Sequence, residues 1–338
     1  VRLGKSGLKV SKIILGMMSY GSTGWQDWVI EDEEEVVKHV KTAYDAGINA
    51  FDTANVYSNG LSEVLLGKAI KKLNLPRDEI VVMTKVYGTV ARTYDTNLMK
   101  TGKSPEEVGH VNQHGLSRKH IFDSVKHSLE RLQLDYIDLL QCHRFDKDTP
   151  IEETMQALHD VVKAGYVRYI GMSSCWAYQF QAMQNYAINN GLTPFVSMQN
   201  HYSLVYREEE REMFPTLKVS NMVMFGVGSI PWSPLGRGIL TRPLDAQATK
   251  RGAVDQRLLK NAHRPSSVEE LANKRSASMA QVSIAWILAK EGVTAPIVGT
   301  TSLKNLEDII GGVKIKLSPD EIKYLEEPYR PQSVIGHF

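Results

Sequence analysis

The chain has 338 residues, 42% of them hydrophobic and 23% charged, the balance of a globular protein with a sizeable core. Its 40 basic and 38 acidic residues leave a net charge of +2, which argues against a nucleic-acid binder built on a basic stripe. Two cysteines, Cys142 and Cys175, are too few for a disulfide framework, no apolar run reaches the ~18 residues of a membrane span, and the start "VRLGKSGLKVSKIILG" has no secretory leader pattern, so a cytoplasmic protein is expected.

In chain order, a hairpin pattern, "VRLGKSGLKVS", leads into an apolar run, "KIILGM" at 12–17. "EDEEEVVKHVKTAYDAG" predicts an amphipathic helix; its acidic start suits the positive end of the helix dipole and Gly47 closes it. "INAFDT" (48–53) precedes a helix near 61–73, and "EIVVMTK" (79–85) a helix over "SRKHIFDSVKHSLERLQL" with Ser117 as its N-cap. "YIDLLQCH" (136–143) leads to a helix from Pro150 to Ala164, "VRYIGMS" (167–173) to one at 176–190, and "FVSMQ" (195–199) to one near 207–217. After "VGSIPWS" (227–233) comes a long irregular stretch, 234–265, then a helix over "MAQVSIAWILAKEG". The eighth run, "APIVGT" (295–300), precedes a helix near 302–311.

Solid apolar runs, each followed by a helix, describe parallel strands buried on both faces with crossover helices. An open dinucleotide-binding sheet should carry GxGxxG after its first strand. "LGMMSYGSTG" does not fit that pattern, and "GVGSIP" comes late and lacks the last glycine. Eight repeats without an interdomain linker predict a single α/β domain over 1–338, a (β/α)8 TIM barrel with an N-terminal β-hairpin and a C-terminal extension.

Chemistry in such a barrel gathers at the C-terminal ends of the strands. Those ends carry Asp52, with Tyr57 five residues on, then Lys85, His143, Ser173 and Ser174, Gln199, Trp232 and Ser233. Taken singly, each has an ordinary structural explanation: a turn cap for Asp52, rim packing for Tyr57, a solvated strand end for Lys85, a satisfied rim histidine for His143. Those explanations weaken together, because all four residues fall on one rim of three consecutive strands. An ammonium beside a phenol favours the phenolate. A carboxylate behind the lysine offsets its desolvation, and an imidazole can orient a carbonyl. The set suits protonation of an oxygen that gains charge as hydride reaches its carbon.

"FDTANVYSNGLSEVLLG" resembles the signature of the aldo-keto reductase family, and the lysine of "VVMTK" and the histidine of "DLLQCHR" fall where that family keeps its other two catalytic residues. "VRYIGMSS", "SMQNHYSL", "PWSPLGRGILTRP" and "PIVGTTSLKNLED" resemble its cofactor segments. The likeness runs from about 1 to 328, and its start and its ending "EIKYLEEPYRPQ" resemble the fungal aryl-alcohol dehydrogenase and versiconal-type reductase branch. The resemblance implies NADPH-dependent reduction of aldehydes and ketones, aryl-substituted ones foremost, with NADH possible. Tyr57 would be the proton donor, tuned by Lys85 and Asp52, and His143 would orient the carbonyl. Ser173, Ser174 and Gln199 would hold the nicotinamide carboxamide and Trp232 would stack on its ring, with Gly16, Met17 and Asp52 close by. Ser233, Pro234, Leu235, Gly236, Arg237 and Gly238 would line the pyrophosphate. Gly299, Thr300, Thr301 and Ser302 open the last helix, where backbone N–H groups favour phosphate, and Asn305 and Asp308 would reach the adenine side. Tyr20, Trp25, Trp28 and Tyr87 could line an aromatic substrate pocket, although Trp25 and Trp28 could equally be isolated surface tryptophans.

Five departures stand out, one of them Ile309, where many relatives carry Asn. Ser174 sits where many relatives carry Asn or Arg. Asn305 replaces a common Arg, which loosens the preference for a 2′-phosphate unless Lys304, Arg242 or Arg237 supplies the cation. Residues 219–224 look inserted, and the 241–268 loop looks short. A small-molecule carbonyl is the expected partner of a monomer or weak homo-oligomer, with no nucleic acid and no membrane. A second reading, by resemblance to channel beta subunits, is an NADP(H)-binding regulatory subunit with slow incidental turnover. A metal-dependent hydrolase needs clustered ligands, and the ten histidines are scattered, so no metal is expected.

Overall fold

The computed structural model describes residues 1–218, 226–243 and 266–337. Eight strands lie parallel in one sheet: β1 Ile14–Gly16, β2 Ala50–Asp52, β3 Val81–Val86, β4 Ile137–Cys142, β5 Val167–Ser173, β6 Ser197–Gln199, β7 Gly228–Ser229 and β8 Ile297–Val298. Their order is β7-β6-β5-β4-β3-β2-β1-β8. The two ends meet. Thr294 N–H donates to the Ser229 carbonyl at 2.7 Å, Ile297 N–H donates to the Pro231 carbonyl at 2.8 Å, and Trp232 bridges in parallel to Ile297. The sheet thus curls into the (β/α)8 barrel expected from the sequence.

Helices α1 Glu33–Asp45, α2 Leu61–Lys72, α3 Arg118–Leu132, α4 Ile151–Lys163, α5 Ala177–Asn189 and α6 Met213–Leu217 follow β1 to β6. α7 Ser266–Arg275 and α8 Met279–Ala289 lie between β7 and β8; α9 Leu303–Gly311 and α10 Pro319–Glu326 come last. Asp32 caps α1 by accepting from Glu35 N–H, and Ser117 caps α3 by accepting from His120 N–H, each satisfying a donor that the first turn leaves open.

Side chains alternate across each strand, so the wall sorts residues by parity. Phe51, Val82, Leu140, Cys142, Ile170, Met172, Met198 and Val298 belong to the large cluster between sheet and helices. Ile14, Ala50, Val81, Met83, Leu139, Ile230, Ala295 and Ile297 form a second cluster that fills the barrel. The N-terminal hairpin, tied by the antiparallel Arg2–Lys9 bridge, adds Leu3, Leu8 and Val10 to that inner cluster and plugs the barrel floor. Its turn needs Gly4 (φ 58°), because a Cβ there would lie 2.3 Å from the Gly226 carbonyl oxygen.

The elements differ from the sequence reading in four places. β7 is shorter than 227–233, because Pro231 has no N–H to give a ladder. The helix expected near 207–217 breaks into a 3-10 turn, Glu208–Glu210, and the short α6, and Glu208 and Glu209 turn inward. Two helices, α7 and α10, were not anticipated; α10 carries a readable signal, a capping box of Ser318 and Glu321 with Pro319 at its start. Residues 219–224, and most of the 241–268 loop, lie outside the described residues.

Candidate active site

Continuing the inner parity up β2, β3 and β4 replaces apolar side chains by Asp52 above Ala50, Lys85 above Met83, and Gln141 above Leu139. Lys85 and Asp52 are 1% and 2% exposed, so this pair is taken almost wholly out of water. The lysine spends all three N–H donors: on Asp52 Oδ2 at 2.5 Å, on the Thr53 carbonyl at 2.8 Å, and on the Tyr57 hydroxyl at 3.4 Å. Burial alone would lower its pKa, but the charges and hydrogen bonds of Asp52 and Tyr57 outweigh that and raise it, so Lys85 is an ammonium. Asp52 Oδ1 accepts from Gln141 Nε2 at 2.9 Å and from Gln199 Nε2 at 3.0 Å. A buried ion pair is tolerable only when its remaining lone pairs and protons are satisfied in this way.

Tyr57 is held by a turn in which Ser58, Asn59 and Gly60 take successive left-handed conformations (φ 47°, 51° and 95°). Ser58 Oγ accepts from Ser22 N–H at 3.0 Å. Asn59 accepts from Ala91 N–H at 3.0 Å and donates to the carbonyls of Thr93 and Thr96 at 2.9 and 2.7 Å. These bonds offset the backbone strain at Ser58 and Asn59, which is about 1–3 kcal/mol for each, and tie the Tyr57 turn to the loops after β1 and β3. The Glu and Gly of the same sequence stretch are structural. Buried Glu63 accepts from Thr84 Oγ1 and Arg131 Nε, both at 2.6 Å, and Gly67 lets α2 approach the Leu132 carbonyl.

The His143 ring stands edge-on to Tyr57, with centroids 5.9 Å apart and planes at 82°. Burial, with Arg144 and Lys85 adding to it, pushes its pKa well below the ordinary value, so the imidazole is neutral and can donate one N–H to a carbonyl oxygen. Trp25 lies on another side of Tyr57, with centroids 6.5 Å apart. Tyr87 is half-buried and packs edge-on against His114, and Trp28 is half-buried. Tyr20 does not join them: it is fully buried with its hydroxyl 3.0 Å from His39 Nδ1 on α1, which corrects the expectation that it lines a substrate pocket.

The ends of β5 to β8 carry the residues that could hold a dinucleotide. Gly16 pairs with Asp52 across β1 and β2, and Met17 is buried with its carbonyl accepting from Ser62. Ser173 Oγ and Ser174 N–H both donate to the Gln199 carbonyl, at 2.8 and 3.2 Å. Trp232 donates from Nε1 to Ser174 Oγ at 3.0 Å, and one ring face is already taken: it stacks on His201 at 4.2 Å, which stacks on Tyr206 at 4.3 Å. Arg237 lies 5.5 Å above the indole. Leu235 (φ −98°, ψ 17°) followed by left-handed Gly236 (φ 55°) forms a turn of the kind that makes an anion nest, flanked by Ser233, Pro234, Arg237 and Gly238. At the start of α9, Gly299, Thr301 and Asn305 are exposed, Thr300 and Ser302 half-exposed, and Ser302 Oγ receives Asn305 N–H at a long 3.4 Å. Helix start, nest and indole are a donor set that fits two phosphates and a flat ring. Asp308 is a departure: its carboxylate accepts from Ser278 Oγ at 2.6 Å and Gln281 Nε2 at 2.9 Å, tying α9 to α8, a role the resemblance did not suggest for a residue expected to reach the adenine.

Sequence reasoning passed over three features. Gln141 has a readable signal, since a polar residue two before His143 shares its inward parity. His201 and Tyr206, behind Trp232, had no signal beyond their aromaticity. The C-terminal tail crosses the same rim: Gln332 N–H donates to Glu208 Oε1 at 2.8 Å, Ile335 N–H to the Tyr206 hydroxyl at 2.9 Å, and a Cβ on Gly336 would lie 3.7 Å from the Trp232 ring.

A model of the aldo/keto reductase family matches residues 12–330. A provisionally named aryl-alcohol dehydrogenase of Schizosaccharomyces pombe is 49% identical over 355 residues, covering 99% of this chain and 96% of that protein. Versiconal hemiacetal acetate reductase of Aspergillus parasiticus is 48% identical over 343 residues, covering 98% and 97%. An aldo-keto reductase of Alternaria alternata is 44% identical over 352 residues, covering 99% and 93%.

Proposed function

The chain belongs to the aldo/keto reductase family and is an oxidoreductase, and from that premise we propose that it reduces aldehydes and ketones, aryl-substituted ones foremost, with NADP(H). One observation carries the reading: a buried ammonium whose third donor points at the hydroxyl of Tyr57. When bound, the nicotinamide supplies a hydride from C4. The remaining work falls to the chain. His143, neutral, directs an N–H at the substrate carbonyl and fixes its orientation. Tyr57 gives its hydroxyl proton to that oxygen as negative charge develops there. Lys85 stabilises the phenolate left behind, and Asp52 keeps the ammonium charged and in place inside the barrel. Trp25 beside Tyr57 supports an aryl substituent, since flat rings favour edge and offset contacts.

Purified protein given NADPH and a benzaldehyde should consume the reduced cofactor. Tyr57→Phe should lower kcat by about 10²–10⁴-fold, the usual worth of a positioned general acid, with cofactor affinity unchanged. Full turnover by the Phe variant would remove Tyr57 from the role.

A further inference from the structure

The Asp52 carboxylate is held from behind by an amide pair that no step above uses. Gln141 Nε2 donates to Asp52 Oδ1, and Gln141 Oε1 in turn accepts from Gln199 Nε2 at 2.7 Å. Gln141 is fully buried on β4, in register with Lys85 on β3 and Gly171 on β5. An amide there costs stability unless it is bonded, and leucine would fill the inner layer with no such cost. Space for it is provided by the neighbouring strand. A Cβ on Gly171 would lie 2.1 Å from Ser197 Oγ and 3.3 Å from Gln141 Cγ, so the bare backbone of β5 leaves room for the Gln141 side chain beside Ser197.

We propose that Gln141 is a positioning residue for proton delivery, acting through Asp52 on Lys85; this rests on the reading of Tyr57 as the proton donor. Two amide N–H groups on Oδ1 fix the plane of the carboxylate and leave only Oδ2 for the lysine. The contact from Lys85 to Tyr57 is the longest of its three. A carboxylate free to turn would offer the ammonium both oxygens and draw it off the phenol. Gln141 prevents that turn while Gln199 buttresses Gln141, so the third donor stays aimed at the hydroxyl.

Gln141→Met keeps the side-chain length and removes the amide. Its kcat for carbonyl reduction falls about 10- to 100-fold, the equivalent of one hydrogen bond to a charged group. Cofactor affinity, read by tryptophan fluorescence, and KM for the aldehyde change by less than about threefold, as for an interaction felt mainly in the transition state. In the Asp52→Asn background the same substitution changes kcat by less than about twofold, because the two residues act as a unit. Gln141→Glu is the second variant, independent of whether the methionine form folds. Among the described residues, the charged or titratable groups around it are Asp52 on β2, Tyr57 in the loop after it, Lys85 on β3, and His143 and Arg144 after β4; β5 and β6 present the uncharged Gly171, Ser197 and Gln199. Next to the Asp52 carboxylate and away from water, the introduced carboxyl keeps its proton to a higher pH than an exposed glutamate. Protonated, it can donate to Oδ1 in place of the amide. That variant is therefore most active at low pH and loses kcat as the introduced group ionises, on a limb the parent lacks. Unchanged kcat in the methionine variant, equal losses of kcat and cofactor affinity, additive loss with Asp52→Asn, or no new limb in the glutamate variant would each overturn the proposal. Tyr57→Phe is measured alongside. Retained turnover there sinks the reading of the proton donor, whereas lost turnover there with normal Gln141→Met kinetics sinks the positioning role alone.

Discussion

The inner wall beneath the mouth of the barrel and the rim formed by the loops after β7 and β8 solve different problems with different parts of the chain. The wall is built from side chains on regular strands, Asp52, Lys85, Gln141 and Gln199, nearly all of them dry and satisfied by one another. The rim is built from backbone: left-handed Ser233, Gly236, Arg237 and Gly238, and the exposed start of α9. Strand geometry holds a charge pair to within a hydrogen bond, which proton transfer needs. Under the proposed binding mode, turn backbone offers N–H groups to a large anionic ligand that must enter and leave. The contrast teaches that the two halves should fail differently: a change in the wall should cost stability and kcat, and a change at the rim should cost affinity and little else.

The severest challenge to that contrast is Lys85→Met. It leaves Asp52 buried with two amides and no cation, a loss of about 3–5 kcal/mol for a broken buried pair, read as a fall in the urea midpoint. Adding Asp52→Asn should recover much of it. A Lys85→Met protein as stable as its parent would mean the wall is not a dry charge site.

A second test uses pH. Burial, as the largest cause, depresses the pKa of His39, His120, His143 and His201, the last to about 3. The unfolded chain takes up these protons near pH 6.5 and the native state refuses them. Stability from this source is therefore complete above about 6.5 and is lost as pH falls toward the folded values, by about 1.4 kcal/mol per pH unit for each fully buried ring. Urea midpoints should drop between about pH 6.5 and 5, and His201→Asn should flatten the slope by one proton. Turnover should show no limb from His143 across neutral pH, since its ring is neutral throughout.

The smallest effect belongs to the rim. Asn305→Arg places a cation on the first turn of α9, near where a 2′-phosphate would lie under the proposed binding mode. NADPH should gain over NADH in kcat/KM by about fivefold or less, the range of an exposed ion pair, with the urea midpoint unmoved. A large stability change from this exposed site would blur the distinction between wall and rim.

Much of this is legible in the sequence. The solid apolar runs ending in Asp52, Lys85 and His143 mark the strands and the rim these residues share, and Ser117 and Gly47 mark helix ends, because these signals are local. Tyr20 misled for the same reason: an aromatic residue just past a strand end looks like a pocket wall, and only the packing of α1 over it shows it to be core. Asp308 likewise reads as a free carboxylate until α8 is laid beside it.

Residue type and order thus determined the barrel, the parity that turns the polar set inward, and the identity of the candidate acid, since strand period and helix amphipathicity are written along the chain. Only the tertiary structure decided what each polar atom touches. Gln141, Gln199 and Asp52 are separated by tens of residues in sequence and meet because β2, β4 and β6 curl around one axis. Hydrogen bonds of a few ångströms are a property of that closure and cannot be read from spacing.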